Sequence, residues 1–124
     1  YARQRVQFGK PIASFQMVQA LLADMYVGVE SMRQMVYHTL ARCNRLAHSD
    51  GGRGEIHKLT AATVLYCGRT LQKICDSAVQ VHGGLGYIWE TEVNRLYRAA
   101  KVFEIGAGTN EVRRLIIAGE MLKE

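Results

Sequence analysis

The stretch Ser14-Phe15-Gln16-Met17-Val18-Gln19-Ala20-Leu21-Leu22-Ala23-Asp24-Met25 opens the longest periodic run in the chain. Phe15, Val18, Leu22, Met25, Val29, Met32, Val36, Leu40 and Cys43 succeed one another at steps of three and four. That spacing keeps one apolar stripe on one face of a helix for about four heptads. Ser14 stands where an N-cap is expected, and the run gives way to the turn-rich Ala47-His48-Ser49-Asp50-Gly51-Gly52. A stripe this long and regular marks a bundle helix with its apolar face in the core.

On the C-terminal side a second long helix is predicted over 55–81. Ile56, Leu59, Thr63, Tyr66, Thr70, Ile74, Ser77 and Val81 share one face, and Val64, Leu65, Cys67 and Ala78 widen it. This helix is therefore expected to be buried on more than one side. It stops at His82-Gly83-Gly84-Leu85-Gly86, and a shorter helix is predicted over 92–101. The loop Glu104-Ile105-Gly106-Ala107-Gly108 leads to Thr109 as N-cap of a last helix. That helix is expected to turn Val112, Leu115, Ile116, Gly119 and Leu122 inward, with Glu111 in its first turn, where the helix dipole favours an anion. On the N-terminal side the first eight residues read as a helix tail, with Gly9 at C′ and Lys10-Pro11 as the stop. No clean hairpin signal is present. The expected fold is all-α, an up-and-down helical bundle with two glycine loops.

Composition agrees with a globular fold. The chain has 124 residues, 48% hydrophobic and 22% charged, which is one domain's worth of ordinary composition. Sixteen Lys+Arg against eleven Asp+Glu give +5, a surplus that suits nucleotide phosphates, coenzyme A or nucleic acid, or is simply a solvated surface. Cys43, Cys67 and Cys75 are an odd count without a C-x-x-C pair, so a disulfide framework is not expected and a reducing, intracellular compartment is. No apolar run reaches the ~18 residues of a membrane span, and no signal-peptide core follows Tyr1. His38, His48, His57 and His82 lack H-x-x-x-H spacing, so no metal site is expected. No G-x-S-x-G elbow, P-loop or helix-turn-helix pattern occurs. The pattern starts mid-stream at Tyr1, without a cap, as in a truncated or processed chain.

Each glycine loop has two readings. His82-Gly83-Gly84-Leu85-Gly86 serves as a C-cap and connector, or lets the backbone approach a ligand's phosphates. Gly106-Ala107-Gly108-Thr109 caps a helix, or offers free N–H groups to an anion or oxyanion.

Four segments in order carry a resemblance. They are Arg5-Val6-Gln7-Phe8-Gly9, Phe15-Gln16, Gly83-Gly84-Leu85-Gly86-Tyr87, and Gly108-Thr109-Asn110-Glu111-Val112-Arg113-Arg114. At these separations the chain resembles the C-terminal helical domain of the acyl-CoA dehydrogenases from Tyr1 to Leu122. The form Glu104-Ile105-Gly106-Ala107-Gly108-Thr109 is most similar to the isovaleryl-CoA and branched short-chain branch. The resemblance implies one domain, 1–124, of a larger FAD protein, with an N-terminal helical domain and a middle β-domain outside this chain.

By that resemblance Arg5 contacts the FAD pyrophosphate of a neighbouring subunit, where a guanidinium fork suits a dianion. Gln7, Phe8 and Gln16 lie beside it, and Gln80, Val81, His82, Gly83 and Gly84 approach the same cofactor. Thr109, Asn110 and Glu111 match the segment that binds FAD within the subunit. The reaction implied is α,β-dehydrogenation of an acyl-CoA, with Ala107 and Gly108 at the substrate and the Ala107 amide aimed at the thioester oxygen. Many members place the catalytic glutamate where Ala107 stands; in the isovaleryl-type branch it comes from a helix before the Arg-x-Gln-Phe-Gly turn. The expected catalytic set within this chain is therefore none. Glu104 reads as structural and Glu111 as a cap-region anion. The chain alone is expected to be inactive and to hold flavin weakly.

The implied partners are acyl-CoA, an electron-transferring flavoprotein and three further copies in a homotetramer, with no nucleic acid. The implied compartment is the mitochondrial matrix in a eukaryote or the cytoplasm in a bacterium. Two departures from the family pattern stand out. Ala99 replaces an acidic residue beside Arg98, which removes that arginine's expected partner, and Thr63 stands where relatives often carry lysine. The alternative from another class is a non-catalytic helical interaction module derived from the family, recognising a partner through Met17, Met25, Met32 and Met35. A nucleic-acid-binding bundle fits less well, because the basic residues are spread out without interleaved aromatics.

Overall fold

The computed structural model describes residues 1–46 and 53–123, so the turn expected over 47–52 and His48 within it lie outside the described residues. A two-stranded hairpin, β1 (Val6–Gln7) and β2 (Lys10–Pro11), opens the chain. The helices are α1 (Gln16–Leu46), α2 (Glu55–His82), α3 (Gly84–Tyr87), α4 (Glu92–Ala100), α5 (Val102–Ile105) and α6 (Asn110–Met121). The architecture is an all-α bundle with α2 at its centre, packed by α1, α4 and α6. Thr39 meets Thr63 while Gly28 meets Ile74, so α1 runs antiparallel to α2. Glu120 near the end of α6 meets His57 near the start of α2, so α6 runs antiparallel to α2 as well.

The N-terminal segment corrects the sequence reading. It is not a helix tail, and Gly9 is not a C′ residue. Val6 pairs with Pro11 and Gln7 with Lys10 across a two-residue turn. Phe8 at φ 52 and Gly9 at φ 77 both take left-handed backbone, the geometry a tight hairpin demands. Phenylalanine at the first turn position hid it, because Asn-Gly or Asp-Gly is the usual signature. Ser14 is not the α1 N-cap either. Residues Ile12–Ser14 form a single 3-10 turn, in which the Ser14 hydroxyl donates to the Pro11 carbonyl at 2.6 Å.

The buried seam of α1 is rotated from the expected stripe. It runs through Val18, Leu21, Met25, Gly28, Met32, Met35, Thr39 and Arg42, while Leu22, Val29, Val36 and Leu40 are exposed. Two contacts with α2 set the rotation. A Cβ on Gly28 would sit 2.9 Å from Ile74 Cδ1, so the glycine admits close helix approach. Buried Thr39 and Thr63 share a 2.6 Å hydroxyl–hydroxyl hydrogen bond; with one hydrogen each, one hydroxyl donates to the other, which in turn donates to its own helix carbonyl, Met35 or Leu59. Small and hydroxylated residues are invisible to a search for apolar stripes.

Helix α6 also turns a different face inward. Asn110 and Arg113 are buried and Ile116, Ile117 and Glu120 half-buried, whereas Val112, Leu115, Gly119 and Leu122 are exposed. The inward face is occupied by a guanidinium with its own carbonyl partners, which outweighs the apolar stripe. The two long helices otherwise match, with α2 ending one residue later than expected and α4 one residue earlier. Cys75 is buried and Cys67 half-buried, and burial pushes both thiols up.

The chain exposes 8590 Å². A compact monomer of its 13.9 kDa exposes about 6,700 Å². Its buried apolar residues, among those described, are the small Ala2, Ala61, Cys75 and Ala100. Phe8, Tyr87 and Trp89 lie largely in solvent.

Candidate functional site

The sequence-predicted site residues fall into two groups. The first gathers at the C-terminal end of α2. Tyr1 stacks on His82 with ring centroids 4.4 Å apart, and its hydroxyl donates to the His82 carbonyl at 3.2 Å. His82 Nδ1 donates to the Ala78 carbonyl at 2.7 Å, so its Nδ1 carries the hydrogen. These contacts hold the N-terminal segment against the end of α2. Gln7, Phe8, Gln80 and Val81 then line one cleft of about 620 Å³, floored by Phe15, Val18 and Leu21. Arg5 stands one residue before β1, exposed, and no carboxylate among the described residues pairs with it. Gln16 is the exposed first residue of α1.

Gly83 and Gly84 form the rim of this end. Gly83 has φ 58, which favours glycine, and a Cβ at either position would meet nothing within 4 Å. Gly86 is different, for a Cβ there would lie 2.5 Å from the Val79 carbonyl oxygen. The first two glycines keep surface open, while the third permits close packing. Helix α4 braces this loop, with Asn94 Nδ2 donating to the Gly86 and Tyr87 carbonyls at 3.0 and 3.2 Å. Arg98 lies 3.5 Å over the Trp89 ring and donates to Asn94 Oδ1. The Ala99 departure therefore does not leave Arg98 without partners, since a ring and an amide hold it.

The second group, residues 106–111, sits elsewhere. A Cβ on Gly68 would lie 3.0 Å from the Phe103 carbonyl, which places this loop beside the middle of α2. Gly68 and Gln80 are twelve residues apart, about 18 Å along the helix. The chain therefore does not bring Arg5, Gly83 and Thr109 into one hollow.

Ala107 at φ 52 and Gly108 at φ 99 take left-handed backbone. Both are exposed and both precede the N-terminus of α6. Thr109 is the N-cap as expected, its side chain accepting from Val112 N at 3.4 Å. Asn110 is buried. The Glu111 carboxyl is held below its ordinary range by its own backbone N–H, then by the Thr109 hydroxyl and the Arg114 guanidinium. Glu104 is paired with Lys101 and mostly buried, and Ala107 has no titratable group. The loop offers amides and no base.

The sequence reading passed over Arg113, which is 6% exposed and reaches back to the Phe103 and Gly106 carbonyls at 3.2 and 2.9 Å. It also passed over Asn94 and the Tyr1–His82 stack. The signal for Arg113 was its place four residues after the Thr109 cap, one turn along the same face. Of the four methionines weighed as a recognition stripe, Met25, Met32 and Met35 lie in the α1 seam and only Met17 is exposed. Among the described residues no three His, Cys, Asp or Glu side chains converge on a metal-sized site, and no helix is long and apolar enough to cross a membrane.

Residues 1–122 match the family model for the acyl-CoA dehydrogenase C-terminal domain. The chain belongs to the acyl-CoA dehydrogenase family. It is 44% identical over 124 residues to the mitochondrial isovaleryl-CoA dehydrogenase of Oryza sativa subsp. japonica, covering 100% of this chain and 29% of that protein. The butyryl-CoA dehydrogenase of Megasphaera elsdenii superposes with a TM-score of 0.85 at 34% identity, over 98% of this chain and 30% of that one. An FAD complex of PigA superposes with a TM-score of 0.84 at 27% identity, over 98% and 30% respectively. The chain thus spans about three-tenths of the length of these acyl-CoA dehydrogenase relatives.

Proposed function

We propose that residues 1–124 form the C-terminal helical domain of an FAD-dependent acyl-CoA dehydrogenase acting on short branched acyl thioesters such as isovaleryl-CoA. The observation that carries the reading is the second glycine loop, in which exposed Ala107 and Gly108 are held at positive φ ahead of a capped helix N-terminus. That arrangement suits an oxyanion, because amide N–H groups and the helix dipole act together there. The 44% identity to a rice isovaleryl-CoA dehydrogenase supports the branched short-chain assignment.

The residues fit FAD. Gly83 and Gly84 leave their surface open, the adjoining cleft is mostly apolar with Gln7, Gln80 and the Asp24 carboxylate in its lining, and Arg5, unpaired with any carboxylate among the described residues, carries a charge suited to a pyrophosphate. Bound FAD supplies the hydride acceptor for the β-hydrogen. In this reading Arg5, Gln7, Phe8, Gln16 and 80–84 meet the cofactor of a neighbouring subunit, and Thr109, Asn110 and Glu111 meet the subunit's own. The separation of the two groups along α2, about 18 Å from Gly68 to Gln80, supports two such sites rather than one.

The Ala107 amide hydrogen-bonds the thioester oxygen and stabilises the charge that develops there as the α-proton leaves. Gly108 keeps the backbone clear of the acyl chain. The proton acceptor in this reading is a glutamate outside residues 1–124, because Ala107 has no titratable group and neither Glu104 nor Glu111 stands at a position matching the family's base. The surface exposed beyond that of a compact monomer, about 1,900 Å², is area for the rest of the protein and for the neighbouring subunits of a homotetramer to cover. Electrons pass to an electron-transferring flavoprotein, in the mitochondrial matrix or a bacterial cytoplasm.

The test is to express the full-length protein, measure bound FAD, and follow oxidation of isovaleryl-CoA with an artificial electron acceptor. The α,β-unsaturated thioester is the expected product. A full-length protein without flavin, or one that oxidises no short acyl-CoA, would contradict the proposal.

A further inference from the structure

We propose that Arg113 is the positioning residue that aims the Ala107 amide at the substrate. The inference rests on the role of Ala107 proposed above and adds the device that sets its direction. Arg113 is buried at 6% exposure, and no carboxylate among the described residues pairs with it. Burying a guanidinium without a counter-ion costs several kcal/mol unless its hydrogens are taken up. Its partners are all uncharged oxygens. Nη2 donates to the Gly106 carbonyl at 2.9 Å, Nη1 to the Phe103 carbonyl at 3.2 Å, and Asn110 Oδ1 lies at 3.5 Å from Nη1.

The Gly106 bond has a directional consequence. The Gly106 carbonyl and the Ala107 N–H belong to one planar trans peptide, in which the two point in opposite directions. No cis peptide occurs in the described chain. With the carbonyl turned inward to Arg113, the Ala107 N–H is turned away from it, on the outer side of the loop. Ala107 is exposed and left-handed at φ 52, a conformation alanine adopts only when its surroundings impose it. The Arg113 bond, together with the Gly106 N–H bond to Val102 O at 2.6 Å, imposes it. A charged donor on the carbonyl also polarises the peptide and makes its N–H the stronger donor. The two nitrogens engage carbonyls three residues apart, which the arginine fork can do and a lysine ammonium does less well.

The experiment uses the full-length FAD-loaded protein as wild type, Arg113→Met and Arg113→Lys. Three quantities are read: kcat and KM for isovaleryl-CoA, the infrared carbonyl stretch of the bound thioester, and hydrogen exchange at 104–108 without substrate. In Arg113→Met kcat falls about 100-fold, the loss typical of one oxyanion donor, while KM moves less than about threefold. The carbonyl stretch returns toward its value in water, and exchange at 104–108 rises about tenfold or more. Arg113→Lys falls between the two. Wild-type kcat, carbonyl frequency and exchange in Arg113→Met overturn the proposal. If that variant does not fold, Arg113→Lys decides, and wild-type values there overturn it equally. A wild-type protein that leaves the carbonyl unshifted contradicts the role of Ala107 instead. In that event the exchange data alone decide whether Arg113 braces the loop.

Discussion

The two glycine loops use the same residue type for opposite ends. The first, after α2, keeps Gly83 and Gly84 open and is braced from outside by Asn94 and by Arg98 stacked on Trp89. The second, before α6, is braced from inside by a buried arginine that fixes one peptide plane. An open rim accommodates a large ligand laid over it, whereas a braced loop presents a single donor in a set direction. The difference teaches that glycine content does not separate these tasks; the donor on the following helix does.

The largest effect expected from breaking this contrast is at Gly86. A Cβ there would collide with the Val79 carbonyl at 2.5 Å, so Gly86→Ala should lower stability by about 3 kcal/mol in urea unfolding. Gly83→Ala meets no neighbour and bears only the backbone strain of φ 58, ψ −136, about 2 kcal/mol. Equal losses at the two sites would show that the loop is not divided into an open rim and a packed base.

Next is Arg98→Ala, expected to cost about 1 to 2 kcal/mol through the lost ring contact and the Asn94 bond. Trp89 is the single tryptophan of residues 1–124, so in a protein of these residues its fluorescence reports the first loop alone. It should change in Arg98→Ala and stay fixed in Arg113→Lys. A change in both would mean the loops are coupled rather than separately braced.

Thr109→Ala should cost about 1 kcal/mol as a lost N-cap, measured by thermal unfolding. The smallest effect is in acid. The Glu111 carboxyl is held below its ordinary value of 4.5 in the folded chain. Its stabilisation is therefore complete above about pH 5 and is lost as pH falls through the lowered value. Glu111→Gln should flatten the fall in unfolding midpoint between pH 5 and pH 3, and an unaltered slope would contradict this.

The long helices were legible because three- and four-residue apolar spacing survives in sequence; α2 was placed to within one residue. The motifs also named the residues proposed for both groups, which the fold places at the end of α2 and ahead of α6. The rest was written in interactions that apolar patterning does not record. Thr39, Thr63 and Gly28 set the α1 rotation through a hydroxyl pair and a close approach. Phe8 took a turn conformation that usually marks asparagine or glycine. Arg113 lay off the apolar stripe expected to face inward, and it is buried because its partners are backbone carbonyls that only the folded chain brings near.

The division of labour between the loops is tested most directly by mixing subunits. Arg5→Glu and Thr109→Arg each damage one group, and each should leave the full-length protein nearly free of FAD. Co-expressed with two different tags and purified through both, the mixed assembly should regain about one FAD per two chains. One of its sites would then combine an intact Arg5 from one subunit with an intact Thr109 from the other. No recovery of FAD in the mixed assembly would contradict the assignment of the two groups to different subunits' cofactors.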